Sequence, residues 1–243
     1  MIIDSLENKR RILHRFLEVC AFEGVNDEVL EDAMQFCQID VKFKNIIFEC
    51  GVLDIIELYI DETNENLAKI IDETPNFEKL KIREKIKFAL YNFFELQKEH
   101  QLALQRIRNF YFDLANFKNT KYGARPSAFA FKNAGKIADF IWKKIGDQST
   151  DFNFYTKRLI LSGVIISVFS TFVKDKTPNL EETKAKIDKK IEKVMKIEKF
   201  KAKMRGFKGD FEKKSREVLM DDEGNVKSFK EIIKDLPFIR LFN

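Results

Sequence analysis

Residues that interrupt helices are scarce in this chain, which has 9 Gly and 4 Pro among its 243 residues. Long stretches rich in Lys, Glu, Leu, Ile and Ala lie between them, and few segments show the alternation typical of strands. A hydrophobic content of 44% beside 34% charged residues is typical of an ordered protein with a substantial core. The sequence therefore predicts an all-α fold.

The first 51 residues have the outline of a helix-turn-helix unit. A helix over 6–22 is followed by Gly24, and Asn26 or Asp27 can cap the next helix. A short turn leads to a third piece over 41–48, which ends before Gly51. Three short helices joined by tight turns over this length predict a helix-turn-helix arrangement for residues 1–51.

The rest of the chain divides into a helical domain over 52–179, an amphipathic helix over 180–204 and a basic tail over 205–243. Helices are predicted at 52–72, 77–99, 101–117, 127–145 and 180–204, with a short one near 229–236. The longest apolar run lies at 159–173. The apolar run over 159–173 is shorter than the ~20 residues that span a bilayer. We expect a buried helix there and a protein that is soluble or peripheral to a membrane.

Charge argues against DNA binding by the N-terminal unit. Residues 1–60 contain six basic and twelve acidic side chains, a net charge of −6. DNA affinity depends on Lys and Arg that neutralise phosphates, so such a surface would repel the duplex. We do not expect sequence-specific DNA binding, even with Lys42 and Lys44 on the third piece.

The basic charge is concentrated near the C-terminus. Residues 184–216 contain fourteen basic and five acidic residues, a net of +9. A cationic face beside an apolar stripe is what an anionic membrane surface attracts, with Lys189, Lys190 and Lys193 as the candidate contacts. A solvated face over a stripe that packs on the core is the alternative, and periodicity alone does not separate the two.

Few residues are suited to catalysis or to metal binding. His14 and His100 are far apart in sequence, the three cysteines are widely spaced, and neither a metal-ligand spacing nor a phosphate-binding glycine motif occurs. We expect no catalytic residue, no metal and no cofactor. The sequence predicts a binding protein.

One segment carries a family resemblance. Residues 146–158 read GDQSTDFNFYTKR and follow ADFIWKKIGD at 138–147. This run resembles the signature of the ubiquinone-biosynthesis accessory family, which comprises the ninth Coq protein of mitochondria and its alphaproteobacterial relatives. A weaker similarity covers FKNIIFECGVLDIIELYIDE at 43–62. Together they span roughly residues 5–204.

The resemblance implies a TetR-like fold, a pocket for an isoprenoid quinone or phospholipid, and a homodimer. It also implies a partner, the di-iron demethoxyubiquinone hydroxylase, to which family members present a substrate without transforming it. The partner-binding patch of the family maps onto Asp139, Ile141, Trp142, Phe154 and Tyr155. The family usually has a tryptophan at the position of Phe154.

The same residues can be interpreted without the family. Trp142 lies four residues before Gly146, and Phe154 lies about four residues into the next helix, so both lie about 6 Å from the connection. Clustered aromatic residues beside Asp139 have the composition of an interface hot spot. Their alternative role is to seal the hairpin core. Gly146 supplies a left-handed turn, Ser149 or Thr150 a cap, and Asp147 and Asp151 acceptors for unpaired backbone N–H groups.

The apolar stripes suggest where a lipid would lie. The candidate lining residues are Phe112, Ile137, Leu161, Ile165 and Phe169. We therefore expect a non-enzymatic, lipid-binding accessory protein of ubiquinone biosynthesis, in the bacterial cytoplasm and peripheral to the inner membrane. The alternatives are a TetR-type ligand-responsive repressor and a lipid carrier without a partner enzyme.

Overall fold

The computed structural model describes residues 5–112, 126–149 and 152–204, and all regular secondary structure in these ranges is helical. The α-helices are α1 (Leu6–Glu23), α2 (Asp27–Phe36), α3 (Lys44–Ile47), α4 (Val52–Glu73), α5 (Ile82–Glu95), α6 (Gln101–Phe112), α7 (Pro126–Lys144), α8 (Phe152–Phe172) and α9 (Glu181–Met204). The fold is all-α and TetR-like, as predicted. The predicted helix near 229–236 lies outside the described residues.

Short polar side chains set the boundaries of the first two helices. The Ser5 hydroxyl accepts a hydrogen bond from the Asn8 backbone N–H at 3.2 Å, and Asn26 accepts one from Val29 at 2.8 Å. Gly24, with φ of 91°, ends α1. The predicted stop at Gly24 and cap at Asn26 are confirmed.

The third piece of the N-terminal unit is short. A 3-10 turn over Val41–Phe43 leads directly into α3, which has four residues. Gly51 then begins α4 with φ of 56°, in a conformation that residues with a side chain rarely adopt. A Cβ atom at Gly51 would lie 2.6 Å from Asp27 Oδ1, so the turn favours glycine and the Asp27 side chain would have to move to admit another residue.

The predicted single helix over 77–99 is wrong at both ends. α5 occupies Ile82–Glu95 and is flanked by 3-10 turns at Phe77–Lys79 and Lys98–His100. Asn76 is left-handed with φ of 60°, and Lys81 is extended, which separates the first turn from α5. The Glu84 carboxylate accepts a hydrogen bond from the Lys81 N–H at 3.4 Å and so fixes the new start.

Aromatic side chains fill much of the core. Phe94 of α5 and Phe172 of α8 are almost fully buried, with ring centroids 5.1 Å apart, and the ring of Phe169 stacks on Phe172 at 6.4 Å. The Gln101 side-chain amide donates to the backbone carbonyls of Phe172 and Asp175. These contacts join the start of α6 to the end of α8.

The start of α9 is attached to the helical body by polar contacts. Asp175 accepts hydrogen bonds from the backbone N–H and the hydroxyl of Thr183, at 2.8 and 2.7 Å. The Tyr91 hydroxyl donates to Asp188 at 2.5 Å. The apolar run forms α8, whose buried residues recur at helical spacing: Leu161, Val164, Ile165, Val168 and Phe172.

Among the described residues, no helix combines the length and the apolar character needed to cross a membrane. The chain divides into two compact units, Met1–Asp188 and Lys189–Asn243. The first contains α1 to α8 and the beginning of α9, and the described part of the second continues α9 to Met204. The predicted boundaries at 51, 179 and 204 stay predictions.

Candidate functional site

The turn between α7 and α8 is built by a glycine cap. Gly146 has φ of 87°, and its N–H donates to the Lys143 carbonyl at 3.1 Å. The Asp147 N–H reaches back to the Trp142 carbonyl at 2.9 Å. These two bonds form a Schellman motif, which satisfies carbonyls that the end of a helix leaves unpaired. The predicted left-handed turn at Gly146 is confirmed.

Asp147 connects this turn to α8. Its carboxylate accepts hydrogen bonds from Lys157 Nζ at 2.7 Å, Ser149 Oγ at 2.7 Å and Arg158 Nη1 at 3.2 Å. Burial opposes ionisation of Asp147, but these three donors outweigh it and lower its pKa to about 2. Asp147 thus accepts from side chains, where we expected backbone N–H groups. Ser149 is used in this bond, and Thr150 and Asp151 lie outside the described residues.

Arg158 is the centre of the cross-links between the two helices. It is 9% exposed, and its Nε donates to Asp139 Oδ1 at 2.6 Å. Lys143 also pairs with Asp139, at 2.7 Å. Burial raises the pKa of Asp139, but its hydrogen bonds to Lys143 and Arg158 lower it below the ordinary value. We define the hairpin cluster as Asp139, Asp147, Lys157 and Arg158.

Arg158 and Lys157 were not among the sequence-predicted site residues. A signal was present, because Arg158 directly precedes an apolar run and three acids, Asp139, Asp147 and Asp151, lie upstream in the preceding helix and turn. An arginine on the buried side of such a helix needs acidic partners. Pairing of Arg158 with acids of this group could have been proposed from the sequence.

The hairpin cluster holds three aromatic side chains at the same end of the hairpin. Trp142 Nε1 donates to the Lys157 carbonyl at 3.2 Å, and Lys157 Nζ lies 5.2 Å from the Trp142 ring centroid. Phe154 and Tyr155 meet edge to face with centroids 5.1 Å apart. Trp142 and Phe154 are half-buried, whereas Tyr155 is 59% exposed. We call Trp142, Phe154 and Tyr155 the aromatic patch.

One residue of the predicted partner-binding set lies elsewhere. Ile141 is fully buried, because it falls on the face of α7 that carries Ala134, Ile137 and Ala138 into the core. Ile141 therefore lies in the core and not on the surface of the aromatic patch. Asp139 is partly exposed, and its carboxylate is bonded to Arg158 and Lys143.

The predicted lipid-lining residues divide into two groups. Ile137, Leu161 and Ile165 are buried, and Phe169 is partly exposed. Phe112 is 40% exposed and does not face the core. The buried stripe of α6 runs through Leu104 and Ile107 to Tyr111, so helical periodicity places Tyr111, and not Phe112, on the inner face.

The three lysines predicted to contact a membrane differ in exposure. Lys189 is exposed and Lys193 is partly exposed, whereas Lys190 is 6% exposed. All three lie on the part of α9 that belongs to the second compact unit.

The N-terminal unit lacks the usual features of a DNA-reading head. α3 spans only about 6 Å, about one helical turn, whereas a recognition helix lies along the major groove. Its lysine, Lys44, pairs with Glu31 and lies 3.7 Å from Asp27, and Lys42 pairs with Asp40 at 2.8 Å. Among the described residues, nothing favours the repressor alternative.

The fold and the hairpin define an all-helical protein of the TetR-like class that displays an aromatic patch held by buried ion pairs. Residues 127–198, which contain α7, the turn and α8, match the family model described as COQ9. Over these residues the chain is similar to the COQ9 family.

Curated proteins with similar sequences carry the same family name. The mitochondrial ubiquinone biosynthesis protein COQ9 of Rattus norvegicus is 37% identical over 59 residues, which are 24% of this chain and 19% of the relative. The Xenopus tropicalis protein is 23% identical over 149 residues, or 61% of this chain and 46% of the relative. The Homo sapiens protein is 21% identical over 187 residues, or 77% and 57%. The matched residues thus cover between 19% and 57% of the length of these relatives.

Proposed function

We propose that this chain is a non-enzymatic, lipid-binding accessory protein of ubiquinone biosynthesis. It binds an isoprenoid quinone precursor and presents it to demethoxyubiquinone hydroxylase at the membrane. One observation carries the proposal: the COQ9 match over residues 127–198 covers the hairpin that displays the aromatic patch. The curated relatives are named for ubiquinone biosynthesis.

The aromatic patch is suited to binding a partner protein. Tyr155 is 59% exposed, and its ring packs against Phe154. Phe154 is in turn covered by Arg158, and Trp142 is bonded to the backbone of α8. Exposed aromatic side chains that are already fixed lose little conformational freedom on binding, which is a property of interface hot spots.

The lipid would lie among the apolar stripes of α6, α7 and α8. Ile137, Leu161 and Ile165 face the interior there. Each methylene of a buried isoprenoid tail contributes about 0.8 kcal/mol, so a long tail offsets the cost of leaving the bilayer. Quinone precursors of this kind are too apolar to diffuse through water, and a carrier solves that problem.

The cationic part of α9 would bring the chain to the membrane. Because Lys190 is buried, the test uses Lys189→Glu with Lys193→Glu and leaves Lys190 unchanged. Flotation with vesicles containing anionic lipid should weaken for this variant. A variant with Lys79→Glu and Lys81→Glu, two exposed lysines just before α5, carries the same charge change and should float like the parent. Equal flotation of all three proteins contradicts the membrane role.

Co-purification tests the partner directly. Tyr155→Asp puts a charge on the patch and should abolish the complex with the hydroxylase while the helical circular dichroism spectrum is unchanged. Phe22→Asp alters another exposed aromatic residue, 77% exposed on α1, and should leave the complex intact. A complex that survives Tyr155→Asp would show that the binding surface lies elsewhere. A lipid carrier without a partner enzyme would retain lipid and capture no hydroxylase.

We propose that the protein acts as a homodimer in the bacterial cytoplasm, peripheral to the inner membrane. Light scattering coupled to gel filtration measures the oligomeric state, and a mass of one chain would contradict the dimer.

A further inference from the structure

A polar contact lies within the apolar packing between α6 and α7. Asn133 Nδ2 donates a hydrogen bond to the Tyr111 hydroxyl oxygen at 2.9 Å. Tyr111 is 6% exposed and Asn133 is 4% exposed, so both side chains are more than nine-tenths buried. We call Tyr111 and Asn133 the polar pair.

The positions around the polar pair are apolar. On α6, Ile107 precedes Tyr111 by one turn on the same buried face, and on α7, Ala130 and Ala134 flank Asn133. Ile137, a predicted lipid-lining residue, lies one turn after Asn133, about 6 Å along the helix. The polar pair is therefore adjacent to the region where we place the lipid.

The hydrogen bonding of the polar pair is incomplete. Asn133 Oδ1 is buried and has no hydrogen-bond partner, and no described residue accepts the Tyr111 hydroxyl proton. Exchanging the amide oxygen and nitrogen of Asn133 would let Tyr111 donate to the oxygen, and the amide N–H groups would then need other acceptors. In the present orientation the site has polar capacity that no described residue uses, and buried polar groups are rarely left so.

We infer that Tyr111 and Asn133 anchor the oxygenated ring of an amphipathic ligand of the phenol or quinone class. A ring hydroxyl can accept the Tyr111 proton and donate to Asn133 Oδ1, and a ring carbonyl can accept from Tyr111. The inference rests on the lipid binding proposed above and specifies its head group.

The polar pair discriminates against charged head groups. Burial raises the pKa of the Tyr111 hydroxyl, so that side chain stays neutral at physiological pH, and the Asn133 amide carries no charge. An anionic phosphate transferred to a neutral buried site loses its hydration without gaining a counter-charge from the pair. A neutral ring oxygen carries no such cost.

The test compares two probes that differ by one hydroxyl, 4-decylphenol and decylbenzene, binding to the full chain. Affinities are measured by competition with an environment-sensitive fluorescent lipid. The parent protein should prefer the phenol, and Tyr111→Phe should reduce that preference about tenfold while decylbenzene binds unchanged, as expected for loss of one buried hydrogen bond. Asn133→Leu should reduce the preference as well, and provides a second variant.

Tyr59→Phe is the matched control. Tyr59 is also 6% exposed, and its hydroxyl also has no hydrogen-bond partner, but it lies on α4 with its ring edge against His100. This variant should keep the parent preference. If both probes bind and neither Tyr111→Phe nor Asn133→Leu changes the preference for 4-decylphenol, the polar pair holds only water. This inference then fails, while the proposed lipid binding stands. If the parent binds neither probe, the proposed lipid binding fails with it.

Discussion

Arg158 stacks on Phe154, with its guanidinium carbon 3.3 Å from the ring centroid. The same guanidinium donates to Asp139, Asp147 and the Phe154 carbonyl. The ring at this position of the aromatic patch is thus held by a cation that is itself fixed by two carboxylates. A phenyl ring keeps the cation–π contact that a tryptophan would make there, although it lacks the indole N–H.

Removing the Arg158 guanidinium should destabilise the fold substantially. Arg158→Met leaves Asp139 and Asp147 without their shared partner, and we expect a loss of about 2–4 kcal/mol, somewhat below a fully buried pair because the Asp139 side chain is 31% exposed. Urea unfolding measures the free energy. The control is Lys143→Met, whose side chain is 68% exposed and which should cost less than about 1 kcal/mol. If both variants lose the same free energy of unfolding, Arg158 is not the central residue of the hairpin cluster.

The contribution of Asp147 to the free energy of unfolding should depend on pH in the acid range. Its pKa is lowered to about 2 in the folded protein and lies near ~3.9 when unfolded. Its ionised form therefore stabilises the fold fully above about pH 4, and the contribution is lost as the pH falls through 2. The difference in unfolding free energy between the parent and Asp147→Asn should be constant from pH 5 to 8 and shrink between pH 4 and 2. A difference that does not vary across this range would contradict the ion pairing.

Two glycine substitutions should have opposite effects. Gly51→Ala forces a side chain into a positive-φ conformation and against Asp27 Oδ1, so we expect a loss of about 1–3 kcal/mol. Gly163→Ala lies inside α8 with no atom within 4 Å of the added Cβ, and should stabilise by about 0.5–1 kcal/mol. Thermal unfolding of both variants checks the signs. If Gly51→Ala leaves the stability unchanged, the α3–α4 turn tolerates another conformation.

The N-terminal unit should not bind DNA specifically. Lys44 is paired with Glu31, and residues 1–60 carry a net charge of −6. Fluorescence anisotropy with random and genomic duplexes in about 0.15 M salt should show no sequence-dependent binding. Specific retention that weakens steeply with salt would instead support a repressor.

Local signals in the sequence predicted much of the fold. The Gly24 stop, the Asn26 cap and the Gly146 turn were correct, because each depends on one residue and its immediate neighbours. The start of the helix predicted over 77–99 was wrong because the apolar period continues through Leu80, while the extended backbone at Lys81 and the Glu84 cap start α5 at Ile82. The spacing of apolar residues does not show where a capping interaction starts the helix.

The candidate site was predictable in position but not in its chemistry. The location of Trp142 and Phe154 at the same end of the hairpin follows from their short distances, along each helix, from the connection between α7 and α8. The burial of Ile141, the outward position of Phe112 and the role of Arg158 depend on how α6, α7 and α8 pack, which the spacing within one helix does not determine. The polar pair joins residues 22 positions apart and left no local pattern.

Native mass spectrometry of the chain purified from membrane-containing cells tests the central proposal most directly. A neutral adduct with the mass of an isoprenoid phenol or quinone is predicted, and it should be lost when Tyr111→Phe and Asn133→Leu are combined. A spectrum with only the bare chain, from cells that make ubiquinone, would contradict the account.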